Sequence, residues 1–366
     1  MKRIFFLGPK PPPVSGYANI VNILATRLLA FGNKVEYVST VPTYLNALYP
    51  GRLWVLARMF YLLGLIVFVA FKIIPKSLIY LNLNGGMGQF FDLGVVVFAR
   101  LLRRELIIHH NSYSYINSRS KLSGWIFQLA GDASVHIVNC DCMAKALVDR
   151  YALNSSVVVI SNAAILSKSR ESSTSKFVSR FADFSQRKSL IVGFMGYYNK
   201  EKGVDLFAEV IKGAKINGLA ISGVAVGPVH EELFYEELME NFSEFVEFCG
   251  PRYGKEKDAF FDGIDLLMFP SRYKSEAEPL IIHDALAKGV PVVATELGCV
   301  GEILSQFEGC HTFKEVEFHK HAIGVIVAKS NQSDAEKMRE RKILVSAYSK
   351  LANKQTEKFE NFIASL

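Results

Sequence analysis

The sequence predicts an α/β protein of two parallel-sheet domains, each sheet covered by helices on both faces. Three observations carry this. Short apolar runs alternate with helical stretches, the alternation stops once and restarts, and 366 residues exceed one ordinary core.

The elements read in order as follows. RIFFLG is a strand ending at Gly8, and PKPPPVSG is a loop that cannot be helical. Ile20, Leu24, Leu28 and Phe31 share one face of the next helix, and Gly32 stops it. KVEYVST, LIYLNL, ELIIHH, SVHIVN and VVVISN repeat the strand signal, closing near Ala163. Ser167 to Lys188 is rich in Ser, Lys and Arg and reads as a linker. The alternation restarts with LIVGFMG, a helix bearing Phe207, Val210, Ile211 and Ala214, then LAISGVAVG, VEFCG, DLLMFPS, another helix and VPVVAT. Ser333 to Leu366 reads as helical to the end. The expected domains are 1–165 and 166–345, with a last helix of about 346–366 packing back on the first. Ligands of parallel sheets bind at the carboxyl ends of strands, so a cleft between the domains is where chemistry is expected.

Composition narrows the function. Half the residues are apolar and mean hydropathy is +0.20, which excludes a disordered chain. Residues 1–165 hold 16 Lys/Arg against 6 Asp/Glu, a net of +10, whereas 166–366 hold 26 against 29. A basic first half fits phosphates or an anionic membrane surface. Nucleic acid is not an expected partner, because no aromatic stripe interleaved with Lys/Arg is present. Five cysteines make no disulfide framework and point to the cytoplasm; Cys140 and Cys142 read as buried thiols at a strand-to-helix transition. The N-terminal apolar run is too short for a signal peptide.

Leu53 to Ile74 is the most apolar segment. Its charge-free run from Met59 to Phe71 is shorter than the roughly 20 residues of a spanning helix. Arg52, Arg58, Lys72 and Lys76 bracket it, so a buried helix, a helix on the membrane surface and a span all remain open.

The stretch FPSRYKSEAEPLIIHDALAKGVPVVAT carries the chemistry. A strand runs into a loop, Pro279 suits a helix first turn, and Gly289 ends the helix. Glu276 and Asp284 then flank the N-terminal amides near Pro279, Leu280 and Ile281. Such amides bind phosphate and carboxylates bind sugar hydroxyls, which suits a sugar–diphosphate–ribose ligand.

This segment resembles the acid-x7-acid motif of retaining glycosyltransferases of the GT-B fold, in glycosyltransferase family 4. AxxxGVPVVAT and the later GEIL, Gly301 to Leu304, fit the same pattern. The resemblance implies two Rossmann-like domains facing a central cleft, with Glu276 on donor-sugar hydroxyls and Asp284, usually Glu, on the ribose. GFMGYYNKEKGVDLF resembles the diphosphate clamp; Lys202 matches its lysine, but Tyr197 stands where the family has arginine. Arg272 or Lys200 is the candidate replacement. PPPVSGYANIV matches the N-terminal loop, implying roles for Gly16 at the donor and Ser15 on the acceptor side. IIHHNSYSYI matches the strand end bearing a histidine near the donor sugar: His110 first, His109 in reserve, with Asn111 on the acceptor side. FCGPRYG matches the loop at the nucleotide base and nominates Gly250 and Arg252.

No D-x-D occurs in the chain, which agrees with a site using no metal or other cofactor. The expected activity is retaining transfer from a nucleotide-diphosphate sugar to a glycan or polyprenyl-linked acceptor, in bacterial surface-polysaccharide (lipopolysaccharide or capsule) assembly at the inner membrane face. Alternatives are a nucleotide-sugar epimerase on the same scaffold and a non-catalytic nucleotide-sugar-binding subunit.

Overall fold

The computed structural model describes residues 3–12, 15–42, 52–72, 77–166 and 189–366. The stretch 167–188, read above as a linker, lies outside the described residues. The described residues fall into two compact units. One comprises those within Met1–Ser169 together with Ser275–Glu278 and Asn353–Leu366. The other comprises those within Arg170–Lys274 and Pro279–Ala352.

The first unit contains strands β1 (Arg3–Gly8), β2 (Lys34–Ser39), β3 (Ser77–Leu83), β4 (Glu105–His110), β5 (Val135–Val138) and β6 (Ser156–Val159). Its helices are α1 (Gly16–Ala30), α2 (Arg52–Lys72), α3 (Gln89–Leu101), α4 (Ser114–Asn117), α5 (Lys121–Ala130), α6 (Asp141–Tyr151) and α7 (Asn162–Leu166). The strands pair in parallel in the order β2-β1-β3-β4-β5-β6. Ile4 to Leu7 and Leu78 to Leu81 are buried as continuous apolar runs, because helices cover both faces of a parallel sheet. Gly8 ends β1 where a Cβ would lie 2.6 Å from Val21 of α1, so helix and strand end meet closely there.

The helix α2 has two different apolar faces. Leu65 and Val69 are buried, and Ile66 packs where Gly94 of α3 leaves room. Leu53, Leu56, Met59, Phe60, Leu63 and Val67 are each about half exposed or more. The Tyr61 hydroxyl donates to the Ser39 carbonyl, 2.9 Å, at the carboxyl end of β2. Nine helix residues, Arg52 to Phe60, precede Tyr61, and the Nε of Arg58 among them is buried. Among the described residues, no helix is long and apolar enough to cross a membrane.

The second unit contains β7 (Leu190–Met195), β8 (Ile221–Val226), β9 (Val246–Cys249), β10 (Leu266–Phe269), β11 (Val292–Thr295) and β12 (His311–Phe313). They pair in parallel in the order β12-β11-β10-β7-β8-β9. Its helices are α8 (Val204–Ile216), α9 (Glu232–Phe242), α10 (Lys255–Gly263), α11 (Leu280–Ala287), α12 (Val300–Leu304) and α13 (Glu315–Ser330). Phe194, Phe207, Val210, Ile211 and Phe318 fill its core. A final helix, α14 (Asp334–Ser365), continues to the chain end as its charge pattern suggested. Its residues from Asn353 onward group with the first unit, where Phe359 stacks edge-on with Phe31 and lies under the Arg27 guanidinium.

Two sequence expectations need correction. The three-residue edge strand β12 was not foreseen, being too short to show alternation. Cys140 is buried but disulfide-bonded, not a thiol, and Cys142, two residues on, is exposed, because α6 begins at Asp141 and turns that side chain outward.

Candidate active site

In the first unit, the carboxyl ends of β1, β3 and β4 lie side by side, with Asn82 in register with His109 and Leu83 with His110. Asn82 is buried; its amide donates to the Leu7 carbonyl, 3.0 Å, and its Oδ1 accepts from Asn111, 3.4 Å. The hydroxyl of Tyr17 reaches the carbonyls of Asn82 and Leu83, so the start of α1 is pinned to the end of β3. Ser15 caps that helix by accepting from the Ala18 amide, 3.1 Å, and both Ser15 and Gly16 are exposed. The structure thus gathers Ser15, Gly16 and Asn111 around one set of strand ends.

The two histidines are both interior. His109 Nδ1 bonds the Tyr80 hydroxyl, 2.9 Å, while its Nε2 has no hydrogen-bond partner among the described residues. Burial pushes its pKa down to about 3. His110 has both nitrogens engaged, Nδ1 with the Tyr115 hydroxyl and Nε2 with His136 Nδ1, each at 2.9 Å. Burial, then the neighbouring His136 and His109, hold His110 well below the ordinary range. His136, lowered to about 4 by burial, continues the chain to Ser134 Oγ at 3.2 Å. Both strand-end histidines are neutral rings at pH 7, and the hydrogen bonds of His110 serve the β4–β5 packing.

Glu276 is half-buried and belongs to the segment Ser275–Glu278 of this first unit. The Tyr113 amide donates to the Ser275 carbonyl, 3.1 Å. Glu278 is buried; its carboxylate accepts from Ser161 Oγ and from the Asn162 amide. Sequence reasoning passed over Glu278, although a second acid two residues from Glu276 was visible.

In the second unit, β7 leads through Gly196 and Tyr197 into a short 3-10 turn, Lys200–Lys202. Asn199 caps that turn by accepting from the Lys202 amide, 2.8 Å. Gly203 follows at φ +75, where a Cβ would lie 2.0 Å from the Pro270 carbonyl, so only glycine fits. The Lys202 ammonium sits 4.6 Å over the Tyr273 ring and is partly exposed. Arg272 is nearby but its charge is matched twice. Nη1 bonds both oxygens of Asp205, at 2.8 and 2.9 Å, and Nε bonds Glu315 at 2.8 Å. Lys200 lies 5.7 Å over the Phe234 ring, and Tyr197 packs edge-on with His230.

Pro279 is the N-cap of α11, and Leu280 and Ile281 open it. One turn on, Asp284 Oδ2 accepts from Lys257 of α10, 3.1 Å. Arg252 pairs loosely with Glu256 of the same helix, 3.6 Å, so α10 serves both residues. Gly250 has open space around its Cα, and Cys249 just before it accepts from the Tyr198 hydroxyl. Lys257 was not foreseen, because a lysine in a charged helix carries no sequence signal of its partner.

Known proteins resemble this chain in sequence and in fold. Residues 175–345 match the family model described as glycosyl transferases group 1. An uncharacterised 41.2 kDa protein from the cps region of Klebsiella pneumoniae is 24% identical over 247 residues, 64% of this chain and 66% of that protein. A GDP-mannose-dependent alpha-mannosyltransferase of Mycobacterium tuberculosis is 28% identical over 108 residues, 30% of this chain and 26% of that protein. The chain thus spans less than two thirds of the length of either relative. Among solved structures, Anabaena HepE in complex with UDP is similar at TM-score 0.68 and 17% identity, with both chains fully covered. Sucrose-phosphate synthase from Thermosynechococcus elongatus gives 0.68 at 14% identity, again over both whole chains. The two sheets have the GT-B fold of those structures, and residues 175–345 resemble the glycosyl transferases group 1 family.

Proposed function

We propose that this protein is a retaining glycosyltransferase that moves a sugar from a nucleoside-diphosphate donor to a lipid-linked glycan in bacterial surface-polysaccharide assembly. The single observation that carries the reading is Glu276 and Asp284 at motif spacing around the start of α11, inside the matched family region. HepE, solved with UDP and with UDP-glucose, supports a nucleotide-sugar donor, and the cps-region relative supports the polysaccharide setting.

In this reading Glu276 orients the donor sugar and Asp284 holds the ribose, with Lys257 steadying Asp284. Lys202 and the amides of Leu280 and Ile281 carry the charge that develops on the diphosphate. Gly250 and Arg252 lie at the base. The acceptor oxygen forms its bond to the anomeric carbon on the face from which the diphosphate departs. The departing phosphate oxygen takes the acceptor proton, so no protein base and no metal enter the step. The engaged nitrogens of His110 favour a supporting part for it, in holding the β4 end, over a part in chemistry.

The acceptor side rests on the first unit. Between Glu36 and Asp92 the sequence has no acidic residue but has Arg52, Arg58, Lys72 and Lys76. The exposed apolar face of α2 lies within that stretch. Such a face suits the surface of an anionic bilayer and brings strand ends and lipid-linked acceptor together. A peripheral position at the inner membrane face follows.

One observation favours a second reading, a nucleotide-sugar-binding subunit without catalysis: Tyr197 replaces the clamp arginine and Arg272 is already paired. Thermal stabilisation by UDP-glucose, UDP-GlcNAc and GDP-mannose, followed by turnover with a lipid-linked acceptor, decides between them. Stabilisation with transfer supports the transferase. Stabilisation without transfer supports the binding subunit, donor conversion without acceptor supports an epimerase, and no stabilisation sinks all three.

A further inference from the structure

Four hydrogen bonds hold the segment Ser275–Glu278 at its two ends, and Glu276 stands between them. At the front, the Tyr113 amide donates to the Ser275 carbonyl, 3.1 Å. At the back, Glu278 Oε1 accepts from Ser161 Oγ at 2.5 Å and Oε2 from the Asn162 amide at 2.6 Å. The Asn162 side chain returns a bond from Nδ2 to the Glu278 carbonyl, 3.0 Å. Ser161 Oγ itself accepts from the Ala163 amide, 3.1 Å, which leaves its proton for Glu278. Ala277 and Glu278 are each 5% exposed, whereas Glu276 keeps partial access to solvent.

Burying a carboxylate in a loop is costly unless donors replace its water. A segment that needed only to be covered would place an apolar side chain at this position. The Glu278 carboxylate instead takes two short, charge-assisted bonds, which are stiffer and more directional than neutral ones. We infer that Glu278 is a positioning residue whose buried carboxylate clamps the segment to Ser161–Asn162 and so fixes where Glu276 presents its own carboxylate. This rests on the reading of Glu276 as the acid that orients the donor sugar. With both ends fixed, a four-residue segment has little freedom left, and releasing the back end lets Glu276 move by about an ångström. A displacement of that size costs about 10²-fold in rate.

The test compares Glu276→Ala, Glu278→Ala, Ser161→Ala and the 278/161 double variant. Each is assayed with UDP-glucose, UDP-GlcNAc and GDP-mannose, and by binding of UDP and GDP. We expect Glu278→Ala to lower kcat about 10²-fold, with nucleoside-diphosphate affinity held within about threefold, roughly 0.6 kcal/mol. Ser161→Ala shifts kcat the same way by less, and the double variant is no worse than Glu278→Ala, since both remove one clamp. Glu278 and Ser161 variants with normal kcat beside an inactive Glu276→Ala overturn the clamp and leave the reading of Glu276 standing. Equal losses of nucleotide affinity and kcat make Glu278 merely structural and also overturn it. Full activity in Glu276→Ala removes the reading itself and the inference with it. Should Glu278→Ala fail to fold, Ser161→Ala, which keeps the Asn162 bond, decides alone through the same split.

Discussion

The two units treat polar groups at their strand ends in opposite ways. The first buries them and keeps them neutral: His109, His110 and His136 lie inside the sheet, and Asn82 is tied into it by its amide. Asp92 follows the same rule, fully buried and bonded twice to Asn84, with burial raising its pKa to about 7. The second keeps full charges, half-exposed and paired: Arg272 with Asp205 and Glu315, Lys257 with Asp284, Lys202 over Tyr273. A neutral, dry rim suits hydroxyl-bearing and apolar partners, and a charged rim that exchanges its partners suits an anionic one. The two units thus differ in how they carry polar groups, each taken by itself.

The largest effect that would break this comparison lies at Glu276. Glu276→Ala should lower kcat by roughly 10²- to 10³-fold while UDP or GDP affinity stays within about threefold. Steady-state kinetics beside calorimetric titration reads both; a variant of unchanged kcat would show that the acid does not belong to the donor sugar.

A smaller effect sharpens the apolar side. Leu56→Glu with Phe60→Glu places two carboxylates on the apolar face of α2, where both side chains are exposed. Flotation with vesicles containing anionic lipid should fall at least tenfold, about 1.4 kcal/mol, with donor binding unaltered. Equal flotation of variant and parent would detach this face from the membrane.

The smallest effect concerns pH. Asp92 holds its proton in the fold up to about 7, whereas the unfolded chain releases it near the ordinary value of 3.8. Between roughly 4 and 7 the native state binds more protons at this site, so its contribution to stability declines as pH rises. The histidines act in the other direction. His109 and His136, lowered to about 3 and about 4, stay neutral in the fold while the unfolded rings protonate below 6.5. Their contribution is present above 6.5 and is lost as pH falls. Together with His110, also held low, the histidines outweigh Asp92, so stability rises with pH to about 7 and is nearly level above it. Asp92→Asn should steepen the rise between about pH 5 and 7 in thermal melts, because it removes the opposing contribution; an unchanged profile would mean that Asp92 is ionised in the fold.

Much of this architecture was legible because its determinants are local. Continuous apolar strands and Pro279 at a helix start declare themselves within a few residues. What stayed hidden depends on residues far apart in the chain. Glu278 looks like any loop acid until Ser161 and Asn162 close on it, and Lys257 gains meaning only against Asp284. His110 was selected by its place at a strand end, but only the packing of β5 shows both its nitrogens engaged. Arg272 was a reasonable spare cation by charge; Asp205 and Glu315 occupy it from other elements. The apolar segment 53–74 announced a helix, yet periodicity could not say that one apolar face would be left outside.

The exposed apolar face of α2 has a consequence for substitution. Leu56, Phe60 and Leu63 stand outside the core, while Leu65 and Val69 of the same helix are buried. Replacements at the exposed positions leave the buried contacts in place, so this face can change its character without disturbing the sheet beneath it.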